Sequence, residues 1–184
     1  MATPPPLTLS HTTLAVRDLA TMLDFYEGVL GFHVTNRDEV NGSQMAFVSQ
    51  DPNEHHQIVM IEDMPTSESG FVLADHLAFR TTDLTALRAV GRRLEEAAVE
   101  GVIPISHGNA WSLYFNDPEG NGLEVFVDSP FHVAQPHATG LNLDQSDADV
   151  EATTRAEIES LPEFQPMDDW RASFSALLAE RAEA

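Results

Sequence analysis

The strongest constraint on this chain is an internal repeat. His11 is followed seven residues later by Asp18-Leu19, and His76 is followed seven residues later by Asp83-Leu84. Each His lies in a run rich in apolar and β-branched residues, Leu7 to Val16 and Leu73 to Arg80, which reads as a strand. Each Asp can cap a helix, over LATMLDFYEGVLG in the first copy and LTALRAVGRRLEEAAV in the second. Leu19, Met22, Leu23, Tyr26 and Leu30 stand at helical spacing, and Gly31 closes that helix. Three strand-like runs follow each helix. In the first copy they are FHVTNRDEV, MAFVSQ and HQIVMIED, with a tight turn at Asn41-Gly42. In the second they are VIPISHG, AWSLYFND and GLEVFVD, with a dense turn over residues 117–122. The expected architecture is therefore α+β: two βαβββ modules, about 7–63 and 73–128, in one domain over 1–130. Two such units can pair their sheets into a cup, with the first strands facing each other.

Residues 131–184 form an acidic extension of different character. Ser146 with Asp149 three residues on opens one expected helix, which ends before Pro162. Met167 to Ala182 reads as a second, with Trp170, Phe174, Leu177 and Leu178 on one stripe. That stripe predicts docking onto the body or onto a second copy; a lid over the cup is the weaker reading.

Composition narrows the chemistry. The 184 residues contain no cysteine, which excludes disulfides, thiolate nucleophiles, zinc–thiolate sites and iron–sulfur clusters. Any metal must be held by His, Asp or Glu. A formal charge of -21 opposes binding to nucleic acid or to an anionic membrane. No apolar run approaches the ~20 residues needed to cross a bilayer. The start, Met1 to Leu7, has no basic region followed by an apolar run. These features read as a soluble, cytoplasmic protein.

Within the repeat, His11 and His76 occupy equivalent positions, and Glu124 sits between Leu123 and Val125 in an apolar strand. A lone strand His is usually a core residue. Two at equivalent places, with a carboxylate that is costly to bury unpartnered, point to metal ligation. Two His and one carboxylate with positions left open suit iron(II) and dioxygen. Aligning the last strands places Val59 opposite Glu124. Valine cannot bind metal, so three protein ligands are expected and the fourth corner is open.

The run ISHGNAWSLYFNDPEGNGLE, residues 105–124, resembles the signature of extradiol ring-cleavage dioxygenases: a His, a hydrophobic–Tyr pair, an acidic–Pro turn with Gly, then a Glu ligand. Over residues 7–128 the chain is similar to the vicinal oxygen chelate superfamily, and to its single-domain members in particular. The resemblance implies His11, His76 and Glu124 as ligands of iron(II), with manganese(II) accepted by the same set. It implies that His107 and Tyr114 hydrogen-bond substrate and intermediates, with Asn109 beside them, and that His56 serves as acid–base catalyst. Its offset from Val59 favours His56, whereas strand parity favours His55. The implied substrates are a small-molecule catechol-type diol, its kind left open, and O2, and a homo-oligomer is compatible with the tail stripe. His132 and His137 match no ligand position and are read as structural. Thr13, Phe47, Val59 and Trp111 are expected around the pocket. Rival readings are a non-oxidative metal enzyme of the same fold, glyoxalase- or epimerase-like, and a non-catalytic protein that binds aromatic ligands.

Overall fold

The computed structural model describes residues 9–40, 42–63 and 76–183. Leu7, Asn41 and Leu73 to Asp75 lie outside them. The first module runs β1 (Thr12–Val16), α1 (Leu19–Phe25), β2 (His33–Val40), β3 (Ser43–Ser49) and β4 (Ile58–Glu62). The second runs β5 (His76–Arg80), α2 (Leu84–Glu96), β6 (Ile103–Ser106), β7 (Ala110–Asn116) and β8 (Gly122–Asp128). Both helices start as the sequence predicts. The Asp18 and Asp83 side chains accept from the backbone N–H of Thr21 and Ala86, satisfying a donor that the helix start would leave orphaned.

Both modules have the same topology. The sheet orders are β1-β4-β3-β2 and, for the matching strands, β6-β7-β8-β5. In each, the first strand pairs in parallel with the last, with Thr12 opposite Ile58 and Leu77 opposite Leu123. The register therefore makes Val59 the equivalent of Glu124, as the repeat predicts.

Three local expectations need correction. The first strand begins at Thr12, so His11 lies one residue ahead of it rather than on it. The first helix is not α-helical to its end: Tyr26–Leu30 is a π-helical turn, closed by Gly31 at φ 82. Glycine suits this left-handed cap because it has no Cβ to clash. The tail stripe packs onto its own chain only at Trp170, which stacks on His132 with ring centroids 4.9 Å apart. Phe174, Leu177 and Leu178 are 45%, 44% and 51% exposed, and only Met167 and Trp170 at the start of that helix are covered.

Between the modules, the turn after β7 plugs onto the first module. Glu119 accepts from the backbone N–H of Arg17 and Asp18 at 2.7 and 2.8 Å. The buried Tyr26 hydroxyl donates to Asp117 at 3.4 Å. Phe25 packs on Phe115 and Phe32 on Phe79. One hydrophobic core thus runs through both modules.

The extension adds β9 (Phe131–His132), β10 (Thr139–Gly140), α3 (Asp147–Ile158), β11 (Gln165–Pro166) and α4 (Met167–Glu183). Ser146 caps α3 through Asp149 N–H, as expected. β10 lengthens the second sheet by pairing with β6, and β11 pairs with β9. Trp111 donates its indole N–H to Thr154 on α3 at 2.8 Å, which ties α3 to the back of the second sheet. Among the described residues, no helix is long and apolar enough to cross a membrane.

Candidate functional site

Glu124 is central to the second module's site. It is 8% exposed, between Leu123 and Val125 on β8. Its Oε1 accepts from the Ser112 hydroxyl at 2.6 Å, and its Oε2 lies 3.2 Å from His76 Nε2. Neighbouring strands dictate this meeting. Tyr114 of β7 is directly opposite Glu124, Ser112 lies one pleat along on the same face, and β5 brings His76 alongside. The Tyr114 ring stands edge-on to His76, with centroids 5.4 Å apart.

His107 follows β6, and its Nε2 is 3.0 Å from the Tyr114 hydroxyl. Its other ring nitrogen, Nδ1, is 2.8 Å from the backbone carbonyl of His137. His107, Asn109, Tyr114 and Glu124 share a cleft of about 310 Å³, with Ala78 and Phe126 also in its wall. This cleft is small and open. A larger cleft of about 980 Å³ lies around Arg80, Asp128 and Arg171, and none of the expected metal ligands or catalytic residues lines it. The expectation for Trp111 is corrected here, because its buried ring borders that larger cleft rather than the candidate one.

The first module holds a separate cluster. The His11 and His56 rings meet edge to face at 4.5 Å. His55 and His56 approach through their Nδ1 atoms at 3.0 Å. Phe47 packs against both. Burial, then the neighbouring His11 and His55, hold His56 below the usual histidine range. Val59 is buried, and Thr13 is exposed beside His11.

The structure thus brings together His76, Glu124, Tyr114, His107 and Asn109, and it brings His11 to His56. It does not bring His11 to His76 and Glu124. Among the described residues, no group of three His, Asp or Glu side chains is poised around a single metal position. The donor types nevertheless fit a divalent cation. Glu124 is a buried carboxylate with one oxygen already oriented by Ser112, and an imidazole nitrogen stands beside the other. Sequence reasoning missed Ser112. Its only signal is a small hydroxyl on the same strand face as Tyr114, two residues away.

A model of the Glyoxalase/Bleomycin resistance protein/Dioxygenase superfamily matches residues 8–125. The chain is 30% identical over 125 residues to a biphenyl-2,3-diol 1,2-dioxygenase of Rhodococcus globerulus, covering 66% of this chain and 63% of that one. It is 28% identical over 162 residues to a catechol-2,3-dioxygenase of Bacillus subtilis, covering 84% of this chain and 51% of that one. The match therefore spans less than two thirds of the length of these two relatives. Among solved structures, a glyoxylase/bleomycin resistance protein/dioxygenase domain from Frankia sp. EAN1pec superposes with a TM-score of 0.58 at 25% identity, over 67% of this chain and 93% of that one.

Proposed function

Because the chain belongs to the Glyoxalase/Bleomycin resistance protein/Dioxygenase superfamily, we propose that it opens the ring of a catechol-type diol with dioxygen, outside the two hydroxyls. The observation that carries this reading is the His76–Glu124 pair at 3.2 Å, set in the same sheet as the His107–Tyr114 couple. The named activities of the relatives, a biphenyl-2,3-diol dioxygenase and a catechol-2,3-dioxygenase, support it.

In this reading His76 and Glu124 hold iron(II), or manganese(II), with His11 as the third ligand. Bound there, the metal supplies adjacent open positions for the diol and dioxygen and a path for electrons between them. The protein's own groups do the rest. Ser112 keeps one Glu124 oxygen occupied, so the other is left to face His76. The Tyr114 hydroxyl, held by His107, faces the diol, with Asn109 in the same wall. His56, held neutral near physiological pH, can take a proton from the second hydroxyl and return it.

The third ligand requires a second copy of the chain. β1 and β5 are both outer strands of their sheets. His11 and His76 stand at the start of these two strands, so edge-to-edge approach of β1 from one copy to β5 of another would bring the two half-sites together. That arrangement would also carry His56 to the cleft that holds His107 and Tyr114.

The test is anaerobic loading with iron(II), then addition of catechol and biphenyl-2,3-diol in air-saturated buffer. A yellow ring-opened product is expected from the wild type and none from Glu124→Ala. A wild type that binds iron and leaves every diol intact would move the reading to non-oxidative chemistry. One that binds no metal would favour a non-catalytic binding protein.

A further inference from the structure

Residues 131–184 have no counterpart in the two-module repeat, yet they reach the site at one place. The backbone carbonyl of His137 is 2.8 Å from His107 Nδ1. Gln135 Nε2 donates to the His107 carbonyl at 2.9 Å, and Gln135 Oε1 accepts from the His137 N–H at 3.0 Å. One glutamine side chain therefore ties the extension to His107 in both directions.

Close packing holds the same contact. Gly108 has φ +76, and a Cβ placed on it would lie 2.7 Å from Val133 Cγ1 and 3.2 Å from Ile158 Cγ2. Only glycine allows the extension to settle this deeply on the turn after His107. Val133 and Ile158 are fully buried and form a small core with Phe131. The Ser129 hydroxyl donates to the Gly108 carbonyl, so the turn is held from its other side as well.

We infer that Gln135 is a positioning residue that fixes the tautomer of His107, and that the extension is part of the candidate active site. A carbonyl oxygen can only accept, so Nδ1 must carry the proton. In a neutral imidazole, Nε2 is then an acceptor, and Tyr114 must be the donor across the 3.0 Å contact. The direction of the hydrogen bond inside the cleft is thus set by a backbone group of the extension. With its proton committed to His107, the Tyr114 oxygen meets a diol hydroxyl as an acceptor. The opposite tautomer would reverse this and put a ring N–H against the phenol. The catalytic consequence rests on the proposed ring cleavage, whereas the tautomer does not.

The experiment uses metal-free, full-length protein labelled with 15N-histidine, at about pH 8 where imidazole is neutral. Long-range 15N–1H spectra, assigned with a His107→Gln variant, report which ring nitrogen of His107 bears the proton. The wild type is expected to show Nδ1–H. Gln135→Ala, a change at an exposed side chain, is expected to shift His107 toward Nε2–H. Gln135→Glu keeps the acceptor for the His137 N–H and loses the donor to His107, and is expected to fall between them. In iron-loaded protein, Gln135→Ala should lower kcat on the order of tenfold with KM little changed, as for other partners that orient a site imidazole. Nε2–H in the wild type, or an unchanged tautomer in Gln135→Ala, would overturn the inference. The expected tautomers in a protein that opens no ring would instead overturn the proposed function and leave the clip in place.

Discussion

A carboxylate buried in an apolar strand is costly unless its oxygens have partners. Glu124 has a serine hydroxyl on one oxygen and an imidazole beside the other. The sequence made Glu124, His76 and Tyr114 legible because each departs from the apolar pattern of a strand at a place the repeat or the 105–124 motif picks out. Ser112 was not legible, since a serine in a strand has many uses and only the pairing of β7 with β8 puts it on Glu124. Ser112→Ala should weaken metal binding by about 10- to 100-fold, because the carboxylate loses the group that orients it. Competition against a coloured chelator measures this. An affinity equal to wild type would show that Ser112 plays no part in holding Glu124 for the metal.

At the scale of elements, the two modules were readable nearly strand for strand. Capping aspartates, strand alternation and turn residues are local signals, and the two copies checked each other. The π-helical turn was not readable, because Tyr26–Leu30 continues the helical spacing of α1 without a break. Nor was the partner of Tyr26, which comes from the other module. Burial, then the charge of Asp117, pushes the Tyr26 hydroxyl far above its ordinary 10.0. The folded chain therefore keeps this proton more tightly than the unfolded chain. The contribution is complete below pH 10.0 and shrinks as pH rises above it, when only the unfolded chain gives up the proton. Urea midpoints at about pH 8 and about pH 11 should fall further for the wild type than for Tyr26→Phe, which has no proton to lose. Equal falls would remove Tyr26 from the alkaline response. The α4 stripe was legible as apolar, but its exposure in one chain was not: Phe131, Val133 and Ile158 already close the extension onto the body, and beyond Trp170 the helix touches it through Arg171, which pairs with Asp128 at 2.8 Å.

At the scale of the molecule, the repeat predicted one three-ligand site shared by His11, His76 and Glu124, and the described residues of one chain do not assemble it. His11 and His76 are equivalent by register, yet one chain holds them in different clusters. A shared site makes a specific prediction. His11→Ala and Glu124→Ala should each be inactive alone. Mixed after gentle dissociation and reassociation, they should regain up to about a quarter of wild-type activity, because half the random pairs are mixed and each mixed pair has one intact site of two. No recovery, with mixed pairs demonstrably formed, would place His11, His76 and Glu124 in one chain or remove His11 from the metal.

Oxygen consumption tests the central claim most directly. With iron(II)-loaded protein in an oxygen electrode and biphenyl-2,3-diol supplied in limiting amount, ring cleavage outside the two hydroxyls predicts one dioxygen taken up for each diol consumed, no peroxide released, and all of the diol recovered as ring-opened acid. Diol consumed without oxygen uptake, or uptake that ends in peroxide and an intact ring, would contradict it.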